Sequence, residues 1–247
     1  MTTAVAPRRG AASTTRTPRQ RPETRPRAAP ARGRRPLRVL VTAGPTREHL
    51  DPVRYLSNES SGRMGFEIAR AAAELGWRVT LVAGPVGLPT PPGVTRVNVV
   101  SAREMLDAAS RAFRDADALF MAAAVSDWRP RLRRAQKWRK KEQGGTQAQL
   151  DLVRTPDILA RLSRRKGARL VVGFALETAD GERRARRKLV AKNADYVVLN
   201  DDSALNAERA TVTILGRDGT SRRLENRSKA AIARALVGLA ARRGDEG

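Results

Sequence analysis

The sequence predicts an α/β fold: a mainly parallel sheet with helices on both faces, ending in a β-hairpin. Three observations carry this. From Leu37 to Val125, apolar runs of strand length alternate with a segment of helical period and then a capped helix. One of those runs, Ala118–Val125, is wholly apolar, as a strand covered on both faces must be. Near the C-terminus, two strand-like runs flank Arg217-Asp218-Gly219-Thr220, a hairpin turn.

The first strand is Leu37–Gly44, LRVLVTAG. A long polar loop follows, and Gly62–Leu75 then places Met64, Ile68, Ala71, Ala72 and Leu75 at helical spacing before Gly76 ends the helix. Trp77–Ala83 is the second strand and Val94–Val100 the third. Ser101 and Glu104 have the spacing of a capping box, so a helix runs from there to about Asp115. Ala118–Val125 is the fourth strand. Beyond Asp127 a basic loop continues to Gly145, longer than a simple connector needs.

Gln149–Val153 is a short strand. Thr155-Pro156-Asp157 then offers an N-cap, a first helical position and an acidic first turn, opening a helix to about Lys166. Leu170–Leu176 is a buried strand, Asp180–Asn193 a basic helix and Ala194–Leu199 a further strand. Ala210–Leu215 and Ser221–Glu225 form the hairpin, and Ser228–Arg243 is a closing amphipathic helix. The β-α-β-α-β order makes a Rossmann-like, doubly wound sheet the expected architecture, with no internal repeat.

Composition bounds the function. The net charge is +24, which by itself suggests nucleic acid, a membrane surface or an anionic substrate. Residues 1–36 hold ten Arg and one Glu among Ala, Pro, Thr and Gly, so they read as a disordered tail, and 37–247 as the folded domain. Cysteine is absent, which excludes disulfides, thiolate metal sites and a cysteine nucleophile. No apolar run approaches the ~20 residues of a membrane span. The N-terminus has no apolar core of the kind a secretory signal needs, so a cytoplasmic protein is expected.

Four places could carry chemistry. In the opening loop, Thr42-Ala43-Gly44-Pro45-Thr46 lacks the second glycine of a dinucleotide fingerprint, which argues against an NADP-dependent reductase. Arg54 and Asn58, beside Ser60-Ser61-Gly62, could grip a phosphate or acyl-phosphate, or could merely solvate the loop. At the end of the fourth strand, Ala122, Ala123 and Ala124 would let a flat ligand approach the backbone. Asp127 after them could accept from a ribose hydroxyl or base amine, or simply start a loop. Lys137-Trp138-Arg139-Lys140-Lys141 could neutralise a triphosphate or stack on nucleic acid. Lys188 and Lys192 share one helix face, where a solvated basic surface is the alternative. His49 has no visible partner and reads as a loop residue.

Together these stretches resemble the phosphopantothenoylcysteine synthetase family, the ligase of coenzyme A biosynthesis often fused behind a flavin-dependent decarboxylase. The resembling segments are TAGPTRE (42–48), DPVRYLSNESSGRMGFEIA (51–69), LVAGPV (81–86), AAAVSDWRP (122–130), KWRKK (137–141), RTPDIL (154–159), VGFALET (172–178) and RRKLVAKNADYVVLND (186–201), followed by the terminal hairpin and helix.

The resemblance implies a two-step ligation. The carboxylate of 4'-phosphopantothenate attacks the α-phosphate of a nucleoside triphosphate, with CTP expected over ATP. The L-cysteine amine then displaces the nucleoside monophosphate. It further implies that Arg54, Asn58 and Ala124 bind the acyl-nucleotide, that Asn58 and Lys137 take part in catalysis, and that Ala122, Ala123, Asp127, Lys137, Phe174, Lys188 and Lys192 contact the nucleotide. Pro156, Asp157, Ile158 and Leu159 match a nucleotide-binding turn at a helix start. Mg2+ is expected with the triphosphate, although no ligand for it stands out, and a homodimer is expected.

Three departures matter. Arg139 stands where the family has the second lysine of its KxKK loop, and His49 where it has proline. With no cysteine and no upstream flavin domain, the chain is expected to bind no flavin and to rely on a separate decarboxylase. The alternative is a basic nucleic-acid-binding protein on a degenerate α/β scaffold. In either case the tail could bind nucleic acid nonspecifically.

Overall fold

The computed structural model describes residues 35–139, 146–176, 180–200 and 208–245. The tail up to Arg34 and the 140–145 part of the basic loop lie outside the described residues.

Five parallel-sheet strands follow the expected pattern. They are β1 (Arg38–Ala43), β4 (Arg78–Ala83), β5 (Val94–Asn98), β9 (Leu170–Leu176) and β10 (Tyr196–Asn200). A sixth, β6 (Ala118–Met121), is shorter than expected, and β11 (Arg209–Gly216) and β12 (Ser221–Ser228) form the hairpin. All eight join one sheet in the order β12-β11-β10-β9-β6-β1-β4-β5, in which β11 runs antiparallel to both its neighbours, β10 and β12, and the other pairs are parallel. This is the doubly wound order, with the chain winding outward in both directions from β1 and β6.

The two faces separate by strand alternation. Val39, Val41 and Ala43 of β1 point to a core shared with α1 (Arg63–Glu74) and α5 (Lys229–Asp245), whereas Leu40 points to the core shared with α2 (Ala102–Phe113), α3 (Ile158–Ser163) and α4 (Gly181–Ala191). The capping box at α2 forms in a modified way. The Ser101 hydroxyl accepts from the Glu104 N–H at 3.2 Å, while the Glu104 carboxylate accepts from the Val100 N–H at 2.8 Å, one residue earlier than the usual arrangement.

Three expectations are corrected. The fourth strand leaves the ladder after Met121 because the next residues bond to the end of β1 and the loop after it instead. Ala123 N–H donates to the Thr42 hydroxyl, Ala124 N–H to the Gly44 carbonyl, and Ser126 N–H to the Thr46 hydroxyl. The opening polar loop folds into a small antiparallel hairpin, β2 (Arg47–His49) with β3 (Tyr55–Ser57), and the lone His49 packs edge-on against Tyr55. The α3 cap is Asp157, whose carboxylate accepts from Ala160 N–H at 2.9 Å, and the helix ends at Ser163. Thr155 does not cap it, since its hydroxyl and N–H donate to the Ser126 and Asp127 carbonyls. The base of the basic loop is closed by a short pair, β7 (Trp128–Pro130) with β8 (Leu152–Arg154).

Candidate functional site

The carboxyl ends of β1 and β6 are neighbours, and the helices that follow them, α1 and α3, pack on opposite faces of the sheet, which makes this the switch-point crevice of a doubly wound fold. Its floor is cross-braced. Thr46 N–H donates to the Ala124 carbonyl at 3.3 Å, and the Asn58 side-chain amide donates to the same carbonyl at 3.2 Å. Asn58 and Ala124, predicted to meet one ligand, are thus in direct contact across 66 residues of chain. The adjoining wall is the start of α1. Gly62 precedes it with φ of 75°, and a Cβ there would lie 3.3 Å from the Gly44 backbone. The N-cap glycine has no side chain to offer, so it leaves the first N–H groups of the helix available to an anion.

Next to this crevice, on the α3 and α4 side, lies a cleft of about 460 Å³. Its lining brings together Ala123, Asp127, Pro156, Asp157, Ile158, Leu159, Phe174, Lys188 and Lys192, nine of the residues predicted to contact a nucleotide. Ala122 is outside it, because alternation turns that residue towards the α1 core. The Phe174 ring packs on the α1 and α5 face, while its carbonyl accepts from the Lys188 ammonium at 2.6 Å. Phe174 therefore offers the cleft its backbone.

The cations of the cleft are anchored. Lys192 bonds the Asp157 carboxylate, so the Asp157 side chain bridges the α3 cap and the end of α4. Burial opposes ionisation of that carboxyl, but Lys192, the Ala160 N–H and the nearby Lys188 charge together hold it below the usual carboxylate range. Arg154 also lines the cleft, its guanidinium 5.6 Å from the Trp128 ring. With Lys188 and Lys192 it outnumbers the two acids Asp127 and Asp157, which suits a polyanion.

Arg54 is half-exposed and is also engaged by its own loop and the basic loop. Its Nε and Nη2 donate to Asp51 at 2.9 and 2.6 Å, and Nη2 also bonds the Trp138 carbonyl. Lys137 is exposed and directly precedes that residue. Two residues that sequence reasoning missed hold the site together, buried Asp51 and buried Thr46. The Asp51-x-x-Arg54 spacing was the available signal for the first. Nothing local marks Thr46.

The chain is similar to known proteins over most of its length. Residues 35–242 match the family described as the DNA/pantothenate metabolism flavoprotein C-terminal domain. The coenzyme A biosynthesis bifunctional protein CoaBC of Vibrio cholerae is 45% identical over 207 residues, which is 82% of this chain and 51% of that protein. The protein of the same name from Bacillus subtilis is 42% identical over 207 residues, 82% of this chain and 50% of the other. The chain thus spans about half the length of the curated relatives it matches.

Among solved structures, the C-terminal domain of a coenzyme A biosynthesis bifunctional protein CoaBC superposes with a TM-score of 0.73 at 37% identity, covering 85% of this chain and 97% of that one. No helix among the described residues is long and apolar enough to cross a membrane. With the match spanning nearly all the described residues and the doubly wound sheet shared, the chain belongs to the DNA/pantothenate metabolism flavoprotein C-terminal domain family.

Proposed function

We propose that this chain is a cytoplasmic phosphopantothenate–cysteine ligase that works through an acyl-nucleotide. The observation that carries the reading is the junction of two sites. A cation-rich cleft gathers nine predicted nucleotide contacts, and at its edge Asn58 meets Ala124 beside an uncapped helix start.

In this reading the triphosphate lies in the cleft with its base near Asp127 and the Pro156–Leu159 turn. Lys188, Lys192 and, from the basic loop, Lys137 offset the charge that accumulates as pyrophosphate leaves. The pantothenate carboxylate attacks the α-phosphorus, and the bond to pyrophosphate breaks. The cysteine amine then attacks the acyl carbon, and the nucleoside monophosphate departs with the bonding electrons. Asn58 orients the mixed anhydride for that second attack, with the small Ala122–Ala124 segment allowing close approach.

Among the described residues no cluster of three or more His, Asp or Glu side chains is disposed to hold a metal. Magnesium would therefore be carried mainly by the phosphate oxygens, and the residues' roles above do not pass through it. CTP over ATP and a homodimer complete the reading. The similar curated proteins belong to coenzyme A biosynthesis, which favours the ligase over the nucleic-acid-binding alternative.

Exchange of labelled pyrophosphate into the triphosphate tests the first step alone. With phosphopantothenate present and cysteine omitted, the protein should catalyse exchange. Exchange that ignores phosphopantothenate, or none at all, contradicts an acyl-nucleotide route.

A further inference from the structure

Asp51 is a carboxylate with no exposed surface in a loop otherwise open to solvent. Buried charges persist only where partners hold them, and Asp51 is held by two separate segments. From its own loop, the N–H groups of Val53 and Arg54 each donate to Oδ1 at 2.8 Å. Its other oxygen takes the Arg54 guanidinium and, across 87 residues, the Trp138 N–H at 3.1 Å. Arg54 closes the link by bonding the Trp138 carbonyl as well, so both backbone groups of Trp138 are gripped by one ion pair. Two contacts steady the same segment. Arg134 N–H donates to the Leu50 carbonyl at 2.8 Å, and the Arg134 guanidinium sits 4.5 Å from the Trp138 ring centroid.

This arrangement does not resemble a ligand contact. Asp51 points into the protein, and Nε and Nη2 of Arg54 are engaged by it and by Trp138. What it fixes is the backbone beside Lys137, the exposed lysine directly preceding Trp138. We propose that Asp51 is a positioning residue for the first chemical step, acting through Arg54 and Trp138 to hold Lys137 at the triphosphate.

The inference rests on the ligase reading of the site. It adds a residue that touches no substrate, and it gives Arg54 a part in supporting the basic loop. The Asp51 carboxyl is suited to a permanent clamp. Burial opposes its ionisation, yet the Trp138, Val53 and Arg54 N–H groups and the Arg54 guanidinium hold it far below the usual carboxylate range. It stays ionised at any working pH, so the clamp does not titrate.

The test uses Asp51→Asn in the full chain, which keeps the shape but replaces one accepting oxygen by a donor. Pyrophosphate exchange should slow by about 10²-fold, the scale of a misplaced catalytic group. Tryptic cleavage after Lys137 should accelerate while the thermal midpoint stays within a few degrees. The exchange defect of Lys137→Ala should largely vanish in the Asp51→Asn background, because both changes disable one device.

Multiplying defects in the double variant would overturn the proposal, as would an unchanged cleavage rate. Should Asp51→Asn not fold, Arg54→Lys asks the same question, since a single ammonium cannot span Asp51 and the Trp138 carbonyl. Its expected pattern is the same, and unaltered cleavage and exchange there would equally refute the clamp. If the wild-type protein shows no exchange, the ligase reading and the catalytic half of the proposal both fall, while cleavage still decides whether Asp51 holds the segment.

Discussion

Gly65 gives the sharpest structural prediction, because two effects of a single methyl group oppose each other there. The residue lies in the first turn of α1, where alanine is favoured over glycine by up to about 1 kcal/mol. Packing argues the other way. A Cβ at Gly65 would stand 2.5 Å from the Ala43 Cβ, 3.0 Å from the Thr42 carbonyl oxygen and 3.1 Å from the Ala43 Cα. Carbon atoms prefer about 3.5–4.0 Å, and these neighbours belong to the central strand, so no flexible tip can move aside.

Overpacking of this kind costs about 1–3 kcal/mol, and the immovable partner puts Gly65→Ala at the upper end. Subtracting the propensity gain leaves a loss of about 2 kcal/mol, or about 4–8 °C in thermal midpoint for a domain of this size. Gly87→Ala is the control, since a Cβ there meets nothing within 4 Å and should be neutral or slightly stabilising. Differential scanning calorimetry of both variants decides the matter. Equal or higher stability of Gly65→Ala would refute the packing argument and the close approach of α1 to β1.

Three further outcomes are expected. Asn58→Ala should still form the acyl-nucleotide but pass it to cysteine about 10²-fold more slowly, visible as a trapped intermediate in single-turnover quenching. Lys192→Met should weaken triphosphate binding and lower stability at pH 7 by about 0.5–1 kcal/mol, allowing for solvent screening of a half-exposed pair. Because the folded Asp157 carboxyl lies below its unfolded value, the stability it contributes is present above about pH 4 and lost as the pH falls through the folded value. The gap between Lys192→Met and wild type in thermal scans should therefore close towards about pH 2. Deleting residues 1–36 should leave ligation unchanged while weakening any salt-sensitive binding to DNA, as read by fluorescence anisotropy.

The parts of the fold that sequence made legible are those fixed by local pattern. Leu170–Leu176 agrees with β9 residue for residue, since a continuous apolar run bounded by charge has few other uses. The same reasoning overran β6. Ala122–Val125 is equally apolar, but its N–H groups are taken by the end of β1 and the loop after it, a competition invisible in periodicity. The β2–β3 hairpin, with three-residue strands, is too short to leave an alternating signature.

Site residues divide along the same line. Residues carried over from whole motifs converge on one cleft, whereas their orientations depend on distant contacts. Strand alternation turns the Phe174 ring away, Lys192 meets an acid 35 residues back, and Asp51 is buried by a segment 87 residues on.

The account stands on one reaction. Purified protein incubated with 4'-phosphopantothenate, L-cysteine and magnesium, and in turn with CTP and ATP, can be followed by mass spectrometry of every product. The account predicts phosphopantothenoylcysteine, pyrophosphate and nucleoside monophosphate in equal amounts, with CTP the better co-substrate. Failure to form the amide with any nucleoside triphosphate would contradict it.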